Sequence, residues 1–177
     1  ALGLADRATR LDSREDLFTL ALADLRVPPP LADGRIVCRR ALPDDAPTIA
    51  RYGAAYVVEA LGEAPAPVTD EAIARERAQI AASNNQFVLI VDGALVAMMR
   101  FTAELPDAVQ IGGVFTPSSL RGRGYARAVV AGALVDARAR GVTRSVLFTG
   151  EDNVPARTAY LALGYRIVGD YALVHFA

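Results

Sequence analysis

The sequence contains no lysine and no tryptophan, and it has one cysteine and one histidine. All 19 of its cations are arginine. Without lysine there is no Gly-Lys-Ser/Thr P-loop. One cysteine, Cys38, cannot form an intramolecular disulfide, and Cys and His are too few for a zinc set, so no metal is expected. The lone histidine, His175, sits in an apolar stretch near the C-terminus and reads as structural, which removes the usual Ser-His-Asp and Cys-His arrangements. Long hydrophobic runs are also missing. The apolar stretches 87–91 and 128–135 fall well short of the ~20 residues that cross a bilayer. Residues 1–16 lack the basic-then-apolar layout of a signal peptide, so a cytoplasmic location is expected.

Charge of either sign is not in excess. The 20 acidic residues nearly cancel the arginines, leaving a formal charge of -1. A near-neutral chain has no global field for polyanions, so neither nucleic acid nor an anionic membrane is an expected partner. Any anion must be held by a local site. At 177 residues, 53% of them hydrophobic, a single domain is the default.

The N-terminal stretch reads as a separate piece. Asp12 or Ser13 can cap a short helix running to about Leu25, with Leu17, Leu20, Leu22 and Leu25 as its apolar positions. Pro28, Pro29 and Pro30 then predict an extended connector. Residues 1–32 are therefore expected to be a helical arm and Pro-rich connector, either packed on the domain or ending a longer N-terminal region. From residue 33 onward strand and helix periods alternate. Strands are expected over 35–40, 86–91, 94–101, 109–115 and 142–149. Helices are expected over 43–61, 69–82, 117–140 and 154–163. Asp92-Gly93 is a strong hairpin turn signal, and a second hairpin is expected around Gly169-Asp170, joining 165–168 to 171–176. The reading is a mixed α/β (α+β) domain with helices on both faces of the sheet.

The most informative segment joins the 109–115 strand to the following helix. Arg121, Arg123 and Arg127 crowd the helix start, where positive charge opposes the macrodipole, and Gly122 and Gly124 weaken the first turn. An anion held by unblocked N–H groups and neutralised by arginine accounts for both penalties. A solvated loop is the plain alternative. The strand before it, residues 109–115, carries Gly112-Gly113 in its interior. Such a pair marks a bulge or a close backbone approach. Either an ordinary edge bulge results, or the released backbone groups pair with an extended, amide-containing ligand.

Arg121, Gly124 and Ala126 opening a long helix after a strand resemble motif A of the GNAT superfamily of N-acetyltransferases. Asn153, Ala156, Tyr160 and Gly164-Tyr165 resemble its motif B, and the order of elements from about residue 34 to 177 is similar as well. The resemblance implies a mostly antiparallel mixed sheet, a GNAT domain over 33–177, and acetyl-CoA as cosubstrate. It further implies that backbone groups of Val114, Phe115 and Thr116 pair with the pantetheine amides. The turn from Arg121 through Gly122, Arg123, Gly124, Tyr125 and Ala126 would hold the pyrophosphate, and Asn153 would contact the pantetheine. Tyr160 would lie near the thioester sulfur.

The implied activity is direct acetyl transfer to a primary amine, with a backbone N–H stabilising the developing oxyanion. Tyr160, with a reference pKa near 10, is the expected proton donor to the leaving thiolate; its structural alternative is a core residue. For the base the candidates are Glu59, Glu104 and Asp107, whereas Gln110 cannot serve. A water-mediated route is also open. The acceptor is a small-molecule or peptide amine, and a homodimer is left open. The rival reading is a non-catalytic acyl-CoA-binding or sensing domain, which would need no Tyr160.

Overall fold

The computed structural model describes residues 9–62 and 64–176, with the side chains of 14–60, 62 and 64–170. Residues 1–8 of the expected arm and the side chain of His175 lie outside them. The strands are β1 (Thr9–Ala21), β2 (Val37–Arg40), β3 (Gln86–Val91), β4 (Ala94–Glu104), β5 (Ala108–Phe115), β6 (Arg144–Gly150) and β7 (Arg166–Phe176). The helices are α1 (Pro29–Ala32), α2 (Ala46–Leu61), α3 (Asp70–Ser83), α4 (Tyr125–Ala139) and α5 (Val154–Leu163). One seven-stranded sheet runs in the order β2-β3-β4-β5-β6-β1-β7. Every neighbouring pair is antiparallel except β5 and β6.

Both faces of the sheet are covered. On one, Val129 and Leu134 of α4 and Leu163 of α5 pack against Phe18, Leu89 and Met99. On the other, Ile49 of α2 and Ile80 of α3 pack against Val88, Met98 and Phe115. Strand β3 is buried on both sides, so its Gln86–Leu89 run is continuous rather than alternating. Helix α4 approaches the sheet so closely that a Cβ on Gly132 would stand 2.2 Å from the Cβ of Cys38. The same packing pushes the Cys38 thiol up to about 12, through burial first and the Asp136 charge second, so the thiol stays protonated. Gly141 (φ 94°) ends α4 in a Schellman motif, with the Val142 N–H donating to the Ala137 carbonyl at 3.1 Å. Among the described residues, no helix is long and apolar enough to cross a membrane.

Two expectations are corrected. The described part of the N-terminal arm is a strand, β1, inserted between β6 and β7, not a helix. Its buried positions Asp16, Phe18 and Leu20 recur every second residue, while Leu22 sits in a short 3-10 turn, Leu22–Asp24. Pairing on both edges decides the outcome, because two neighbouring ladders outweigh weak local helix preference. Phe18, Leu20, Leu22 and Leu25 thereby share the main core with the remainder of the chain. Of the three prolines, only Pro28 is an extended connector; Pro29 and Pro30 open α1, where a missing N–H costs nothing.

The expected hairpin at Gly169-Asp170 does not form. Residues 166–176 run as one strand against β1, with Leu17 opposite Gly169 and Asp16 opposite Asp170. Neither Gly169 nor Asp170 has the positive φ of a two-residue turn, whereas Asp92 (φ 49°) and Gly93 (φ 78°) both do. The glycine instead accompanies a register shift between Leu17 and Phe18.

Candidate functional site

The parallel pair β5 and β6 does not stay paired. Ala108, Val109 and Gln110 face Arg144, Ser145 and Val146, and the ladder then ends. Beyond it, residues 111–115 and 147–150 are unpaired with one another, a cleft in the ladder between two strands of one sheet. The glycines behave as expected: a register shift against β4 falls between Met98 and Arg100, and Gly113 adopts φ 58°. This bulge turns the end of β5 out of regular pairing and frees backbone groups along the cleft. Thr116, just past the strand, is buried, and its Oγ1 has no hydrogen-bond partner.

The cleft leads to the start of α4. Gly122 and Gly124 both have φ 78°, a left-handed conformation that a side chain would oppose. No side chain caps this helix. Among the described residues, no N–H of residues 122–127 donates to another group until Ala128 bonds the Gly124 carbonyl at 3.0 Å. Six successive N–H groups, a helix N-terminus and exposed Arg121 and Arg123 make a positive concavity. Arg121 is oriented by its Nε bond to the Thr116 carbonyl at 2.9 Å and lies over the Phe115 ring. The guanidinium of Arg127 folds back to 3.7 Å from the Cβ position of Gly124, and its Nε is buried without a partner.

The two long walls carry tyrosines. Tyr160 of α5 is buried at 8% exposure, with its ring edge-on to Phe18 at 6.0 Å and to Tyr165 at 5.9 Å. Burial, with the Tyr56 phenol of α2 nearby, pushes the Tyr160 phenol well above the ordinary tyrosine value. Its hydroxyl bonds to no described residue and is not sealed from solvent. Tyr56 is raised as well, by burial first, with Arg100 opposing and Glu15 reinforcing the shift. Arg100 of β4 runs its stem past the bulge, with Nε 3.4 Å from the Cβ position of Gly113. Across from it on α3, burial pushes the Glu76 carboxyl up while Arg100 pulls it down.

The expected residues divide clearly. Val114, Phe115 and Thr116 line the bulged strand end, while Arg121, Gly122, Arg123, Gly124, Tyr125 and Ala126 form the turn. Asn153 caps α5: its Oδ1 accepts from the Ala156 N–H at 3.3 Å and its Nδ2 donates to Thr149 Oγ1 at 3.3 Å. Glu59 does not stand free as a base but pairs with Arg121. Asp107 is corrected. It lies at the closed end of the β5–β6 pair, where its carbonyl accepts from the N–H groups of Thr143 and Arg144. Six residue-to-residue steps of ~3.3 Å each separate it from Gly113, too far for proton transfer there. Glu104, bonded to Arg140 at 3.1 Å, belongs to the same distant end. Glu76, whose carboxyl lies near Arg100 beside the bulge, was missed, as were Tyr56 and Arg100. Nothing local in the sequence marks them, because they come from separate elements. A further acidic group, Asp16, Glu151 and Asp170, is compensated by Arg157, 2.9 Å from Asp16, and by Arg14, 3.9 Å from Asp170.

A split parallel pair, a bulged strand and an uncapped helix start together mark one end of this α/β fold. The chain belongs to the Acetyltransferase (GNAT) family, whose model matches residues 54–165. Its fold is shared by solved structures of that family. A GNAT-family protein of Novosphingobium aromaticivorans is 20% identical, with a TM-score of 0.65 over 96% of this chain and 67% of that one. An acetyltransferase of the family from Colwellia psychrerythraea is 19% identical, with a TM-score of 0.66 over 98% of this chain and 59% of that one. Ribosomal-protein-alanine N-acetyltransferase of Brucella melitensis is 18% identical, with a TM-score of 0.62 over 75% of this chain and 86% of that one. The chain spans between 52% and 67% of the first three structures it resembles. No curated protein matches it.

Proposed function

We propose that this chain is an N-acetyltransferase that moves the acetyl group of acetyl-CoA to a primary amine. The observation that carries the reading is the continuity of the β5–β6 cleft with the bare N-terminus of α4. An extended amide-bearing chain fits the first, and its pyrophosphate end fits the second. The orphaned Thr116 Oγ1, just past the bulged strand end, supports the fit, since a polar ligand would give it a partner. Bound acetyl-CoA supplies an acyl group on a thioester, open to direct displacement by the amine with the CoA thiol leaving.

The protein's own groups account for the remaining needs. Residues 122–126, with Arg121 and Arg123, hold the pyrophosphate, and Arg121 leaves Glu59 to do so. The backbone groups of Val114, Phe115 and Thr116 hold the pantetheine, and an N–H released at the Gly113 bulge is a fixed dipole for the developing oxyanion. Tyr160 keeps its proton throughout the neutral range and donates it to the thiolate. Glu76 of α3, near Arg100, is the carboxylate we assign to accept the amine's proton, directly or through water. The same reading places the protein in the cytoplasm, with a small-molecule or peptide amine as acceptor.

The test pairs binding with turnover. Acetyl-CoA and CoA should each raise the melting temperature by linkage. Thiol release should then rise above the hydrolysis background when a panel of primary amines is added. If no CoA derivative shifts the melting temperature, the cofactor assignment fails. Binding without release in the presence of any amine would make this an acyl-CoA-binding domain.

A further inference from the structure

A second positive cavity adjoins the α4 turn. Its near wall is Arg127, in the first turn of α4, and its far wall is the segment entering α1. That segment is fixed in place: the Arg26 N–H donates to the Leu163 carbonyl at 3.0 Å, and Pro28 and Pro29 restrict the backbone that follows. The cavity encloses about 170 Å³ and is lined by Arg26, Val27, Pro28, Pro29, Arg127 and Ala162. Two guanidinium groups from different elements thus line one small space that no acidic residue lines. Neither side chain bonds or pairs with any described residue, and the Arg127 Nε is sealed from water as well. The guanidinium N–H groups that line the cavity have no acceptor among the described residues, and an anion there would supply one.

We propose that this cavity receives the 3′-phosphate of CoA, held between Arg26 and Arg127. The inference rests on the acetyl-CoA reading above and adds a second anion site to it. CoA carries a pyrophosphate and, on the ribose of the same adenosine end, a separate phosphate dianion. Arg127 directly follows the residues whose N–H groups are assigned to the pyrophosphate, so one ligand reaches both places. Guanidinium forks suit a phosphate, and the apolar Val27, Pro28, Pro29 and Ala162 surface leaves no competing carboxylate.

The test is calorimetric titration of the full chain with CoA and with 3′-dephospho-CoA. CoA should bind at least tenfold more tightly. Arg26→Ala, at an exposed position, should remove most of that ratio by weakening CoA while leaving dephospho-CoA unchanged. Inorganic phosphate as competitor should weaken CoA more than dephospho-CoA. Equal affinities in the unmodified protein, or a ratio untouched by both Arg26→Ala and Arg127→Ala, would overturn the proposal and leave acetyl-CoA binding intact. Equal competition by phosphate would assign the anion to the α4 turn alone and count against the cavity. Failure of both ligands to bind would remove the CoA reading itself.

Discussion

The helices α4 and α5 begin in opposite ways. At α5, Asn153 caps the Ala156 N–H, Pro155 fills a first-turn position that needs no donor, and Glu151 and Asp152 precede it with the favourable charge. At α4, a left-handed glycine replaces the cap, arginines surround the start, and residues 122–127 keep their N–H groups unbonded. Both helices pack on the same face of the sheet and both end on a positive-φ glycine, Gly141 and Gly164. Their remaining difference lies at the N-terminus. One start is completed by the protein, and the other, on our proposal, by a ligand.

Substitutions at the two starts should separate these roles. The largest effect is expected beyond the cap of α5, at Tyr160. Tyr160→Phe should lower kcat by about a hundredfold, the usual scale for a lost proton donor, and leave the Kd for CoA within about twofold. Unchanged turnover in steady-state assays would remove Tyr160 from the chemistry. Next, Arg121→Glu should weaken CoA about tenfold or more in calorimetric titrations, since it puts a negative charge beside the pyrophosphate. Intact binding would mean that the turn is an ordinary loop. Asn153→Ala should cost about 1 kcal/mol of stability in denaturant titrations, as a lost cap does. The smallest effect is the most discriminating. Arg123→Glu should stabilise the free protein by about 0.3 kcal/mol, because it relieves the clash with the α4 macrodipole, while it weakens CoA. If it destabilised the free protein, the arginines would have a structural reason to be there.

Local signals were legible where one segment determines its own shape. Asp92-Gly93 specified the β3–β4 turn, Asn153 and Gly164 bounded α5, and Gly112-Gly113 marked the bulge. The α4 turn was legible for the same reason, since its glycines and arginines violate local preference within a few residues. Strand β1 was not, because what makes it a strand is the pair of ladders from β6 and β7, over a hundred positions away in the chain. Its alternation of Asp16, Phe18 and Leu20 was masked by leucines at helical spacing. Gly169-Asp170 misled in the other direction: turn residues are permissive of a turn, and a long partner strand overrode them. The grouping of Tyr56, Glu76 and Arg100 was illegible because they come from α2, α3 and β4. Asp107 failed as a base for a geometric reason. It is near the glycine strand in sequence, but it enters that strand at the end opposite the bulge.

The difference between the two helix starts can be read residue by residue through amide hydrogen exchange with and without saturating acetyl-CoA. The account predicts that the amides of residues 122–127 slow by tenfold or more on binding, while those of residues 154–157 at the capped start of α5 change little. Unaltered exchange at 122–127 in protein that demonstrably binds acetyl-CoA would contradict it.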